Sequence, residues 1–302
     1  MRPTTPTLVV AFAVQAVVLA GLTLALLDVR AHRSPSGNDI NQWGYRTGEA
    51  GLSKRPGEVR IAIVGGSAAF AVGSRFGGSV AGHLFIELRN TGAVARQEYS
   101  VVDLSEPQAG ADAYVETLRD YMYLDPDILC VYDGYDVLGG TPPHARRRSL
   151  AYRLTGYLPV LPATWLGRAG WLSDPDLGVI DMLRDGQGGP ADVSCGGASR
   201  SYCAAMADAV RFGLAQGRTV IVASPPSVST RHLLQQRSLA MSLTREFGQN
   251  PRFAFVDLGR VVDVWNPVES PDGIHLTEAG AHVVGQNIGW RVLDLLGRPW
   301  GP

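Results

Sequence analysis

Five short apolar runs recur along the chain, at Arg60–Val64, Tyr99–Asp103, Asp127–Tyr132, Thr219–Ala223 and Phe253–Asp257. Each is too short for a stable helix and too continuously apolar for a strand with one wet face. Each therefore predicts a strand buried on both sides. Between them, apolar residues return at helical spacing: Val80, Leu84, Ile86 and Leu88, then a segment over Ala113–Leu124, then one over Arg231–Phe247. A last helix, with Thr277 as its N-cap, carries Val283, Val284, Ile288, Val292 and Leu295. Strands alternating with helices predict an α/β fold, a doubly wound parallel five-stranded sheet.

The apolar run Leu8–Leu27 stands outside that pattern, broken only by Gln15 and Thr23. It is long enough for a transmembrane helix. It is too long for the apolar core of a cleaved signal peptide, and no small-x-small cleavage site closes the run before Arg30. The expected organisation is an anchor over 1–30, a stalk rich in Gly, Ser and Pro over 31–57, and an α/β domain over 58–302. The membrane is thus an expected partner through residues 8–27. Arg2 on one side and Arg30 and Arg33 on the other leave the positive-inside rule undecided.

Alternation fails over an insert at 139–200, which holds Arg146-Arg147-Arg148, the prolines Pro159 and Pro162, and Trp165 and Trp171. Leaving the third strand's carboxyl end, it is expected either to overhang the site as a lid that could touch lipid, or to pack as a cap.

Composition narrows the function. The 302 residues are 45% hydrophobic and 18% charged, enough for a sizeable core. A net charge of −1 supplies no basic field, so no nucleic-acid partner is expected. The six histidines are scattered, without His-x-x-x-His, Cys-x-x-Cys or an acidic ligand cluster, and no metal is expected. Gly65–Gly73 lacks the Lys-Ser/Thr of a phosphate-binding loop and the Gly-x-Gly-x-x-Gly spacing, which ranks nucleotide binding last.

Chemistry concentrates at two distant points. Gly65-Gly66-Ser67 follows the first strand, where the glycines let the chain turn sharply and ligands of open α/β sheets bind. Asp272 and His275 share one loop before the last helix. A serine nucleophile needs a base, and the base needs an acid to orient it. Asp272 also fits a plain turn in Pro-Asp-Gly. His232 and His282, on helices without partners, read as structural.

Gly-Gly-Ser after strand one with Asp-x-x-His before the last helix resembles the SGNH (GDSL-like) hydrolases. The upstream run Ile40-Asn41-Gln42-Trp43-Gly44-Tyr45-Arg46 is similar to the lead-in of membrane-anchored bacterial members. The resemblance spans Ile40 to Leu296 apart from the insert. It implies a flavodoxin-like strand order and a cofactor-free serine esterase in which Ser67 attacks, His275 takes the proton and Asp272 orients the imidazole. It implies an oxyanion hole from Ser67 and Ser105, the latter at the family's glycine, and puts Asp136 at the family's asparagine, an acceptor in place of an amide donor. The implied substrate is an O-acyl ester of a cell-surface glycan or a lipid, met in the periplasm or outside the cell; no protein partner is implied. The rival expectations are a catalytically weak or inactive relative that binds a glycan or envelope partner, and an O-acyltransferase. Cys130 reads as a buried thiol, and Cys195 and Cys203 are expected to pair if the domain is exported.

Overall fold

A computed structural model describes residues 5–33, 40–41, 43–48, 50–71, 74–107, 109–133, 150–155, 159 and 192–297. Six strands form one sheet: β1 (Arg46–Thr47), β2 (Glu58–Val64), β3 (Glu98–Asp103), β4 (Ile128–Tyr132), β5 (Thr219–Ala223) and β6 (Phe253–Val256). Their order is β1-β3-β2-β4-β5-β6. β2 to β6 are parallel, and without β1 they run second, first, third, fourth, fifth, the flavodoxin-like order. The five expected strands are present, and β1 adds an antiparallel edge.

Parallel strands are covered on both faces, and the side chains show it. Ile61 and Ile63 enter one core with Val101, Ile128, Cys130 and Ile221. Ala62 and Val64 enter the other with Val102, Leu129, Val131 and Val222. The first core is roofed by α3 (Val80–Ala95) and α8 (Glu278–Leu295). The second is roofed by α4 (Tyr114–Tyr121), α6 (Arg200–Ala215) and α7 (Thr230–Phe247). The remaining α-helices among the described residues are α1 (Thr5–Arg33), α2 (Ser67–Phe70) and α5 (Leu150–Thr155). Helix α6 escaped the sequence reading; its inward face mixes Met206 and Val210 with Tyr202 and the small residues Ala207, Ala209 and Gly213. Thr277 caps α8 as expected, its hydroxyl accepting from Gly280 N–H at 3.2 Å. A Cβ on Gly285 would stand 2.8 Å from His83 Cβ and Leu84 N, so α8 lies directly against α3.

The stretch read as stalk belongs in part to the domain. Ile40, Tyr45, Arg46 and Ala50 are buried, Tyr45 packs edge-on against Tyr121, and the Tyr121 hydroxyl donates to Gly44 O at 2.9 Å. Folded structure thus begins near residue 40 rather than 58. In α1, Val9–Arg30 is one helix long and apolar enough to cross a membrane, as a signal sequence also can be. Its 22 residues span about 33 Å at about 1.5 Å each, against a bilayer core of about 30 Å. Most of the insert lies outside the described residues; its carboxyl end is tied to α6 by a Cys195–Cys203 disulfide with Cα atoms 5.6 Å apart. Cys130 is buried within β4, and burial pushes its thiol up to about 12.

At the amino end of the sheet Glu58, Arg60 and Ser100 share a buried face. Arg60 Nε donates to Glu58 Oε1 at 2.8 Å, and its Nη1 to Leu124 O at 2.9 Å. Burial alone would raise the Glu58 carboxyl; hydrogen bonds from Arg60, Ser100 and Arg55 N–H, with the Arg60 charge, outweigh it and bring the pKa to about 2. A depressed carboxylate stabilises the fold fully above its ordinary pKa of 4.5 and loses that contribution as pH falls through about 2. Glu58→Gln is expected to cost about 3–5 kcal/mol at neutral pH. The gap from wild type should narrow as pH falls below 4.5 toward 2, read by denaturant melts across pH; a gap constant over that range would refute the assignment.

Candidate functional site

The turn after β2 is set by space. Gly65 and Gly66 are not among the positive-φ residues, and Gly66 has φ −85°. The sharp turn expected of the glycines is made without a left-handed residue. A Cβ on Gly65 would sit 2.3 Å from Tyr132 O, at the end of β4, and 2.6 Å from Ala69 Cβ. A Cβ on Gly66 would sit 3.0 Å from Ala109 O. The loop after β3 closes the other side, with Glu106 N–H donating to Gly65 O at 3.1 Å and Leu104 N–H to Ile63 O at 2.7 Å. The chain passes through this gap and begins α2 at Ser67, which is 2% exposed. Helix α2 ends at Ala71, whose φ of 51° is left-handed.

Asp272 and His275 form a self-contained unit between β6 and α8. Gly273, at φ 81°, lets the loop fold back so that Asp272 Oδ1 accepts from Ile274 N–H at 2.9 Å and His275 N–H at 2.8 Å. Asp272 Oδ2 lies 2.6 Å from His275 Nδ1. That contact fixes the imidazole with Nδ1–H toward the carboxylate, so Nε2, which is buried, is the nitrogen able to take a proton. The Ser270 hydroxyl holds His275 O at 2.8 Å. Burial would raise the Asp272 carboxyl, but the His275 ring, two backbone N–H groups and the imidazole charge hold it below the ordinary range.

Topology returns this unit toward the serine. Strand β6 is at the far edge from β2, yet α8 packs on α3, the helix that follows Ser67. At its first residue, Glu278 approaches Gly78, two residues ahead of α3. Ala68 and Ala69 beside Ser67, and Ile274 and Leu276 beside His275, belong to one apolar cluster. The buried Ser67 and the carboxylate-oriented His275 thus both follow the carboxyl ends of parallel strands.

Ser105 is buried at the carboxyl end of β3, and its N–H donates to Asp103 Oδ1 at 3.0 Å. Asp103 is fully buried; burial raises its carboxyl, opposed by the charge of Arg46 and by Ser105. Asp136 lies outside the described residues. Beside its stretch, the buried Asp133 accepts from the Tyr114 hydroxyl at 2.6 Å, a pair the sequence reading did not single out. Arg46 and Asp103 were also given no role there, since only the fold brings them together, 3.6 Å apart. His232 Nδ1 accepts from Val228 N–H at 3.2 Å, and His282 meets His83 ring to ring at 5.1 Å. Among the described residues no group of three or more His, Cys, Asp or Glu is placed to hold a metal.

No protein-family model and no curated protein matches the chain. Among solved structures it is similar to a Clostridium thermocellum family 3 carbohydrate esterase, at 12% identity and TM-score 0.49, covering 80% of this chain and 98% of that one. It is similar to the psychrotrophic esterase EstA from Pseudoalteromonas sp. at 9% identity and TM-score 0.47, covering 79% and 99%. An acetyl-xylooligosaccharide esterase from Geobacillus Stearmophilus matches at 12% identity and TM-score 0.43, covering 81% and 96%. Identities this low leave the function of this chain to its own residues.

The turn gives a direct check. Gly65→Ala forces a methyl into Tyr132 O and Ala69 Cβ, and overpacking of this kind costs roughly 1–3 kcal/mol. Thermal melting should show that loss; an unshifted melt would mean the gap is wider than the structure has it.

Proposed function

We propose that the chain is a serine esterase acting on O-acyl esters. One observation carries the reading. An imidazole oriented by a carboxylate at 2.6 Å is returned by α8 to the side of the sheet where the buried Ser67 opens α2. Ser67 Oγ attacks the acyl carbonyl carbon while its proton passes to His275 Nε2. Asp272 stabilises the imidazolium through Nδ1–H. The tetrahedral intermediate collapses, the alcohol leaves with the proton from Nε2, and Ser67 holds the acyl group. Water then attacks the acyl carbon, giving its proton to Nε2; the Ser67–acyl bond breaks, that proton passes to Ser67 Oγ, and the carboxylic acid is released.

The oxyanion is assigned to the N–H of Ser67, with Ser105 N–H joining when it leaves Asp103. Asp136, which the resemblance puts at the third position, would donate there only as a neutral carboxyl. The expected substrate is an acylated glycan or a lipid ester. With α1 as anchor, the domain works beyond the membrane, a reading supported by the disulfide, since such bonds persist in oxidising compartments. A second reading, a weakly catalytic or non-catalytic glycan-binding relative, draws support from the capture of Ser105 N–H by Asp103.

Full-length protein in detergent should hydrolyse a short-chain aryl ester and react covalently with a fluorophosphonate at Ser67. Ser67→Ala and His275→Ala should each lower kcat by about a thousandfold or more, because the members act as a unit. Wild-type rates equal to those of Ser67→Ala would sink the esterase reading in favour of the second.

A further inference from the structure

The lead-in motif ending at Arg46 has no part in the chemistry above, yet Arg46 heads the largest fully buried side chains among the described residues. Its Nη1 donates to Phe70 O, the last residue of α2, and its Nη2 to Ser74 O at 2.9 Å. The guanidinium lies over the Phe70 ring, 4.4 Å from the centroid. Between those two carbonyls the chain passes Ala71 in the left-handed region, a conformation a non-glycine residue keeps only where its surroundings impose it. Arg46 holds the backbone on both sides of that residue.

The same side chain reaches the neighbouring loop. Arg46 is paired with Asp103 across the β1–β3 register, and Nη1 is 3.6 Å from Asp103 Oδ2. Asp103 Oδ1 holds Ser105 N–H. A planar fork of donors is what this place demands: two carbonyls, a carboxylate and an aromatic face lie around one group. A lysine ammonium is a point charge and cannot serve all four.

We propose that Arg46 is a positioning residue for the nucleophile. It joins the helix that starts at Ser67 and the loop that carries Ser105 into one rigid unit, and so fixes where Oγ stands relative to His275. The inference rests on the esterase reading. It assigns to an edge strand of two residues a part in catalysis without contact with substrate. A purely structural role would lower the melting temperature and leave turnover unchanged wherever the variant is folded; a positioning role lowers turnover in the folded protein.

The test uses the full chain in detergent, with Arg46→Lys compared to wild type at a temperature where circular dichroism shows both folded. The kcat for a short-chain aryl ester and the rate of fluorophosphonate labelling should fall about tenfold or more, with KM changed less than about twofold, as displacement of a reacting atom alone demands. In Arg46→Ala, millimolar guanidinium should restore part of the labelling rate, and methylammonium should not, because only the former presents the fork. A folded Arg46→Lys that labels at the wild-type rate overturns the proposal and leaves the esterase reading standing. A wild type that does not label at Ser67 overturns both. If Arg46→Lys does not fold, Phe70→Leu replaces it: it removes the aromatic face under the guanidinium, leaves Asp103 and Ser105 untouched, and should lower kcat severalfold. An unchanged kcat there overturns the proposal.

Discussion

A sheet apolar on both faces admits charge only at its ends, and this one buries an arginine at each. Arg60 and Arg46 are fully buried, and each lies against a carboxylate. Desolvating such ions costs several kcal/mol apiece, so neither is there for stability alone unless its hydrogen bonds are complete. At the amino end they are extensive. Arg60 reaches Glu58, Ser100, Leu124 O and Ser53 O, and Glu58 also accepts from Arg55. At the carboxyl end the ion pair is longer, 3.6 Å, and the guanidinium donates to carbonyls of the turn that follows Ser67. One arginine secures the sheet, and the other secures the place where its chemistry is proposed.

That asymmetry follows from parallel topology. Every crossover leaves a parallel strand at its carboxyl end, so the chain segments that follow β2, β3 and β6 start from one edge of the sheet. Crowding there explains the glycines. Gly65 has a carbonyl of β4 on one side and the loop after β3 on the other, and a hydrogen atom is all the gap admits. The turn is shaped by its neighbours more than by its own dihedral preferences.

How much the sequence disclosed follows the range of the interactions concerned. The five parallel strands were legible because burial on both faces writes itself as continuous apolar runs, and Thr277 was legible because a cap is a local event. Asp272 and His275 were legible for the same reason: three residues apart, they meet through a turn that Asp272 and Gly273 build themselves. Strand β1 was not, since two residues carry no periodicity and Arg46 at a buried position contradicts the pattern a core residue should show. A buried arginine is identified only by its partners, and Phe70, Ser74 and Asp103 lie far away in the chain. Capture of Ser105 N–H by Asp103 is local, yet Asp-x-Ser is too common a turn to announce which N–H is engaged.

That capture bears on how strong the proposed oxyanion hole can be. An N–H that donates to an ionised carboxylate holds it with about 1.5–3 kcal/mol. An oxyanion-hole donor is worth about 2.7–4 kcal/mol to the transition state. If Ser105 must leave Asp103 to serve the oxyanion, the net gain is the difference, on the order of 1 kcal/mol, which corresponds to under tenfold in rate. The Ser67 N–H carries no such debt, being in the first turn of α2 where helical N–H groups lack intrahelical acceptors. Arg46 decides how large the debt is. On the proposed reading, its 3.6 Å approach to Asp103 holds the Ser105 loop in one place and keeps Ser105 N–H on the carboxylate instead of the reacting carbonyl. Rigidity at Ser67 and freedom at Ser105 are, on that proposed reading, opposed through one ion pair.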